Sequence, residues 1–225
     1  MVSSDWLAVI VTLKLAFFTS LILLLIGTPL AWWMSRWQSA FKPFIQAIVA
    51  LPLILPPTVL GFYLLVAFAP DTWVGQLWQG ISGQQLAFSF SGILIGSIFY
   101  SLPFVVQPLH SAFVQLNPRY LDVAQTMGLS GWQRFLRLIL PLTRSSFITA
   151  FGLSFAHTVG EFGVVLMIGG NIPGETQVLS IALFDHVESM QYSQAHQLAG
   201  GLLISSLLLL ALLYRINGRR EALWK

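Results

Sequence analysis

Residues 117–141 read NPRYLDVAQTMGLSGWQRFLRLILP, the one long polar insertion in an otherwise apolar chain. Asn117 ahead of Pro118 predicts a helix N-cap with proline at the first helical position. Tyr120, Leu121 and Ala124 then fall on one helical face, and Gly128 is placed to end the turn. Ser130 and Gln133 have capping-box spacing and open a second helix. Trp132, Phe135, Leu136 and Ile139 give it an apolar stripe, with Arg134 and Arg137 alongside. Pro141 marks where the chain re-enters the membrane. The insertion reads as a helical hook without catalytic groups.

Apolar runs lie on both sides of this hook. The 225 residues are 56% hydrophobic and only 8% charged, with mean hydropathy +0.78, where a soluble domain carries about a quarter charged residues. Runs long enough to cross a bilayer fall at about 13–34, 44–69, 86–110, 145–170 and 198–214. They predict an all-α membrane protein with five transmembrane helices in a single domain, 1–225, whose core is about 10–214. Pro52, Pro56 and Pro57 interrupt the second run. The first run lacks a basic leader and a small-x-small cleavage site, so it reads as a helix rather than a signal peptide. The absence of cysteine excludes disulfides, thiolate metal sites and a thiol nucleophile.

The charges give a direction. Arg36 and Lys42 follow the first run, Arg119, Arg134, Arg137 and Arg144 lie between the third and fourth, and Arg215, Arg219, Arg220 and Lys225 follow the fifth. If five helices alternate, these loops share one side, and only Lys14 of the 11 basic residues lies off it. The positive-inside rule makes that side cytoplasmic, with the N-terminus outside and the C-terminus inside. The opposite loops carry Asp5, Asp71, Glu175, Asp185 and Glu188. Trp6, Trp32, Trp33, Trp37, Trp73, Trp78 and Trp224 lie toward span ends, as an aromatic belt requires.

An amphipathic hook on the cytoplasmic side fits equally a hairpin in the headgroup layer and a docking surface for a partner. A resemblance favours the second. The segment resembles the "EAA" loop of type I ABC importer permeases, whose pattern is Glu-Ala-Ala, three residues, Gly, nine residues, Ile-x-Leu-Pro. The matching positions here are Asp122, Val123, Ala124, Gly128, Leu138, Leu140 and Pro141, with Asp122, Val123 and Leu138 departing conservatively and the spacing intact. In that family the loop forms coupling helices that sit in a groove of a cytoplasmic ABC ATPase subunit. The resemblance therefore implies ATPase-coupling roles for Tyr120, Leu121, Asp122, Ala124, Gly128, Trp132 and Arg134. The chain itself is no ATPase, because none of Lys14, Lys42 and Lys225 follows a glycine-rich loop. Five helices make half of a pathway, so a homodimer is the expected assembly.

LPLILPPTVLGFYLL at 51–65 and TVGEFGVVLMIGGNIPGETQ at 158–177 resemble the molybdate permeases of this family, and less closely the sulfate permeases. The resemblance implies a tetrahedral oxyanion as cargo, molybdate with tungstate as a mimic, delivered by a periplasmic oxyanion-binding protein. It implies no cofactor, no metal and no nucleic acid, and membrane lipid as the surrounding partner.

Pathway or gate candidates are Pro56, Pro57, Gly160, Glu161 and Gly163. Prolines free backbone carbonyls at membrane depth, which are tolerated where they line a cavity or are buried in protein, although a plain kink reads equally well. Glu161 is the one acid within a span, about 24 Å along the fourth if that helix starts near Ser145. A fixed negative charge repels an oxyanion, so a structural role near the outer gate is the favoured reading. His157 shares its face, yet no third ligand accompanies the pair to make a metal site. His110, His186 and His196 read as solvated. Gly152, Ala156 and Gly160 recur at four-residue spacing and permit close helix approach. Lys14 reads as a snorkelling side chain or an oxyanion attractor at the outer mouth. The loop 171–196 reads as a solvated outer loop or a contact for the binding protein. A membrane enzyme using His157 and Glu161, and a secondary transporter with Glu161 as proton carrier, are the competing classes.

Overall fold

The computed structural model describes residues 2–221, with side chains for residues 5–216. Trp224 and Lys225, and the side chains of Arg219 and Arg220, lie outside the described residues. Among the described residues the fold is helical throughout, in eleven helices: α1 Val2–Arg36, α2 Lys42–Ala50, α3 Pro57–Ala67, α4 Trp73–Ser82, α5 Phe90–Gln115, α6 Pro118–Thr126, α7 Gly131–Arg134, α8 Leu140–Val159, α9 Gly163–Gly169, α10 Leu179–Glu188 and α11 Tyr192–Glu221.

Four stretches are long and apolar enough to cross a membrane, namely Asp5–Arg36, Phe90–Gln115, Gly131–Val159 and Tyr192–Ile216. The pair Lys42–Leu53 and Pro57–Ala67, bent by 103° at its break, makes a fifth crossing if it is one span and a re-entrant loop if it is not. Four or five of the expected crossings are thus present, and the second apolar run is broken in two. The cause is local. Pro56 adopts φ −54°, ψ 134° and caps α3, with Pro57 in its first turn. The residue before a proline is pushed out of the helical region, so the helix must restart.

The core is a three-helix packing of α1, α5 and α8. Helices α1 and α5 run parallel. One cluster at their C-terminal end joins Leu23, Ala31, Met34, Val105, Val106, Leu109, Phe113, Ile139 and Ala150. A second at their N-terminal end joins Val11, Leu15, Ile93, Val165, Val178 and Ile181. Gly27 admits the Val105 side chain, since a Cβ at that position would lie 3.0 Å from its Cγ1. The hook therefore caps one end of the bundle, while α10 and the 171–178 loop close the other. Helix α11 lies on the outside, with Leu203, Ile204, Leu207, Leu208 and Leu212 exposed. It seats against α8 where Gly152 leaves room for Leu213.

Two boundaries differ from the sequence expectation. The fourth crossing begins at Gly131 rather than near residue 145, and it ends at Val159 rather than 170. Pro141 does not end the second hook helix. A π turn over Phe135–Ile139 connects α7 to α8, closed by the Leu140 N–H donating to the Phe135 carbonyl. The wider turn gives the Pro141 ring room against the preceding carbonyls, so the helix passes through the proline. At the other end Gly160–Phe162 break the helix, which puts Glu161 beyond the end of α8 rather than inside it.

Candidate functional site

The hook is built as its sequence demands. The Asn117 side chain accepts from Arg119 N–H, with Pro118 in the first turn. Gly128 takes φ +74° with open space around it, a conformation that disfavours other L-residues. Ser130 and Gln133 form both bonds of the capping box. Arg134 Nη1 donates to Gln125 Oε1 at 3.4 Å and ties the two arms together.

The faces of α6 are not distributed as the spacing alone predicts. Ala124 is buried, and Leu121 packs with Phe135 against the main core cluster. Those two hold the hook to the bundle. Tyr120 is 55% exposed, Val123 56% and Met127 72%, a stripe at i, i+3 and i+7 that faces away from the protein. Asp122 and Gly128 are exposed beside it. Trp132 is exposed too and stacks on Phe135, while Arg134 is half-buried. Val123 and Met127 were absent from the coupling set drawn from the sequence. Their signal is the 3.6-residue period continued one turn past Tyr120. Between the hook and α1 lies an apolar groove of about 730 Å³ bounded by Leu25, Pro29, Trp32, Leu121, Trp132 and Phe147.

At the opposite end of α8 the gate candidates fall into one neighbourhood. Helices α3 and α9 pack closely, since a Cβ on Gly163 would lie 2.8 Å from Pro57 Cβ and one on Gly61 would lie 2.7 Å from Met167 Cβ. Pro57 and Gly163, far apart in sequence, are thus in contact. Pro56 lies one residue before this contact as the cap of α3. Gly160 caps α8 and is exposed, without the close helix neighbour that its spacing from Gly152 implied.

Glu161 is 3% exposed. Its backbone carbonyl accepts from Ser180 Oγ on α10. His157 is held separately. Its Nδ1 lies 2.9 Å from Ser101 Oγ, and its ring stacks on Phe104 at 4.0 Å and lies 4.7 Å from Tyr100. Among the described residues no group of three His, Cys, Asp or Glu side chains converges as a metal site. A hydroxyl seam runs beside these residues. Ser154 donates to Ser20 on α1, and Thr158 meets Ser101 on α5.

The surface of α10 is cross-tied. Asp185 accepts from Asn171 and Gln177, and His186 Nε2 pairs with Asp5 at 3.0 Å. His186 is thus engaged rather than simply solvated. Burial alone would lower its pKa, but bonds to Asp5 and Gln191 and the charges of Asp5 and Asp185 raise it above the ordinary value. Lys14 is exposed, with its ammonium 4.3 Å from the centre of the Phe90 ring.

Residues 23–221 match the family described as "Binding-protein-dependent transport system inner membrane component". The chain is 54% identical over 210 residues, 93% of both sequences, to the molybdenum transport system permease protein ModB of Azotobacter vinelandii. It is 32% identical over 93% of its length, and 75% of the relative's, to the sulfate transport system permease protein CysT of Escherichia coli K12. Its fold matches a chain of a bacterial alginate ABC transporter, crystallised with an alginate pentasaccharide-bound periplasmic protein, at TM-score 0.73 and 19% identity, covering 95% of this chain and 78% of that one. The four or five membrane-crossing helices, the capped hook and these relationships together make the chain a multi-pass member of the binding-protein-dependent transport system inner membrane component family.

Proposed function

We propose that the chain is the permease subunit of an ATP-driven importer of molybdate, with tungstate as a mimic. The observation that carries this reading is the 54% identity to ModB over 93% of both chains, against 32% to the sulfate permease. ATP hydrolysis falls to a separate ABC ATPase, for which the exposed stripe Tyr120, Val123 and Met127 is the docking surface, with Asp122, Gly128 and Trp132 at its edges. Leu121, Ala124 and Arg134 hold that surface in place. The basic residues at the hook end support the placement of hook and C-terminus in the cytoplasm and of the N-terminus outside. A periplasmic binding protein delivers the oxyanion to the α10 end. Two copies form the pathway about a two-fold axis.

The geometry supports one mechanism. ATP-driven closure of two ATPases moves the hooks, and α8 carries that motion to the break at Gly160–Phe162. There α9 moves with α3 through the Pro57–Gly163 and Gly61–Met167 contacts, so the second crossing is the natural gate. The transition is a population shift between two packings.

Reconstitution with the ATPase and binding protein tests the reading. Molybdate should stimulate ATP hydrolysis and be taken up, while sulfate should not. Stimulation by sulfate alone would transfer the assignment to a sulfate importer, and hydrolysis indifferent to both would refute an oxyanion cargo.

A further inference from the structure

Five side chains among the described residues carry a buried polar atom without a hydrogen-bond partner: Thr19, Ser97, His110, Glu161 and Gln194. Two of them face each other, and a third lies at the same level of the bundle. Ser97 Oγ faces the Glu161 carboxyl without reaching hydrogen-bond geometry. The register that pairs Gly27 of α1 with Val105 of α5 sets Thr19 level with Ser97, and both are fully buried. Thr19 also adjoins Ser20, which accepts from Ser154 of α8. Glu161 and Ser97 therefore face one another near the end of α8, with the unsatisfied Thr19 hydroxyl at the same level on α1.

Among the described residues no cation answers the acid. On α1 the ammonium of Lys14 is spent on the Phe90 ring at the exposed face. Helix α5 offers Tyr100, and α8 offers His157, which Ser101 and two aromatic rings hold. Helix α9 carries no ionisable residue. On α10, Asp185 and His186 are engaged with Asn171, Gln177, Gln191 and Asp5. On α3 the ionisable residue is Tyr63, which is exposed. An ionised carboxylate in this position would be buried without a counter-charge, faced by the Ser97 hydroxyl alone, a costly arrangement for a charge. A proton removes the charge and turns an acceptor-only group into a donor that a hydroxyl can answer.

We propose that Glu161, Ser97 and Thr19 form a proton-binding site. In this conformation the acid is protonated and donates toward Ser97 or Thr19. When the Gly160–Phe162 break parts from α5, water reaches the carboxyl and takes the proton, and reclosure requires its return. The release step rests on the transport reading above, whereas the protonated state of the closed form does not.

Infrared spectra of the full chain in lipid nanodiscs at neutral pH test the closed state. Wild type minus Glu161→Gln should show one deuterium-sensitive carbonyl stretch of a protonated carboxylic acid. That band should shift in Ser97→Ala and in Thr19→Val, both measured with Glu161 in place, so the result stands even if Glu161→Gln accumulates poorly. A carboxylate band lost on Glu161→Gln, a band that moves when sodium replaces choline, or one indifferent to both hydroxyl variants overturns the site. For release, the complex with its ATPase trapped by a non-hydrolysable nucleotide should liberate about one proton per permease chain, and none in Glu161→Gln. Substrate-stimulated hydrolysis with no proton release in wild type overturns the release step while leaving the transport function intact.

Discussion

The exposed stripe on α6 proposed for docking can be removed without touching the fold. Val123 is 56% exposed and Met127 72%, and fully burying such side chains contributes about 1.5–3 kcal/mol each. Roughly half to three-quarters of that area is still free to be covered by a partner, about 1 kcal/mol for Val123 and a little under 2 for Met127. Together they account for about 3 kcal/mol, and about 1.4 kcal/mol is a factor of ten in affinity. Replacing both by glutamine keeps helix propensity close to that of the native pair and removes the apolar gain. Val123→Gln with Met127→Gln should therefore weaken ATPase binding about 100-fold and leave the melting temperature of the isolated permease unchanged. The assay is titration of the purified ATPase onto permease in nanodiscs, followed by hydrolysis at low and high ATPase concentration. Coupled hydrolysis should fall at low concentration and recover at high. A dissociation constant within about twofold of wild type, which is under half a kcal/mol, would refute the docking role of this face.

Other substitutions probe the remaining parts. Gly163→Ala sets a methyl 2.8 Å from Pro57 Cβ, and overpacking of this kind costs about 1–3 kcal/mol; thermal unfolding should show the loss and uptake should fall further than stability. Gly128→Val meets no neighbour, so its cost is the left-handed backbone, about 1–2 kcal/mol confined to the turn. Membrane insertion should be normal and uptake lost, and normal uptake would count against a fixed hook geometry. The His186–Asp5 pair supplies a pH dependence. Because the folded-state pKa of His186 is raised above its ordinary 6.5, its stabilisation is fully present below pH 6.5 and is lost as pH rises through the raised value. Being part-exposed, the pair is worth under about 1 kcal/mol, read as a small fall in melting temperature across that window that disappears in Asp5→Asn.

Composition and periodicity made the crossings and the hook legible, since both depend on local sequence: Asn117-Pro118, Gly128 and the Ser130–Gln133 box all act within a turn of themselves. What depended on tertiary contact was hidden. Pro141 reads from the sequence as the point of re-entry into the membrane, whereas the π turn that carries one helix through it is set by packing on both sides. The face of α6 depended on which side met the core, so Leu121 turned inward while Val123 and Met127 were overlooked. Gly160 looked like a packing residue by spacing, yet of its series Gly152 is the one that admits a neighbouring helix. Ser97 and Thr19 carry no signal in one sequence, because a buried hydroxyl usually bonds back to its own helix, as Thr12 does to Ala8.

The unbroken helical path from Gly131 to Val159 has a mechanical consequence. Its 29 residues make a rod about 44 Å long. A tilt of about five degrees about the waist where Ser154 meets Ser20 and Ala150 is buried would carry the Val159 end about 1 Å and the Gly131 end about 3 Å, in opposite directions, at this rise per residue. The hook and the Gly160–Phe162 break would then be the long and short arms of one lever. A wide excursion at the hook would become a small, forceful one beside Glu161 and Pro56.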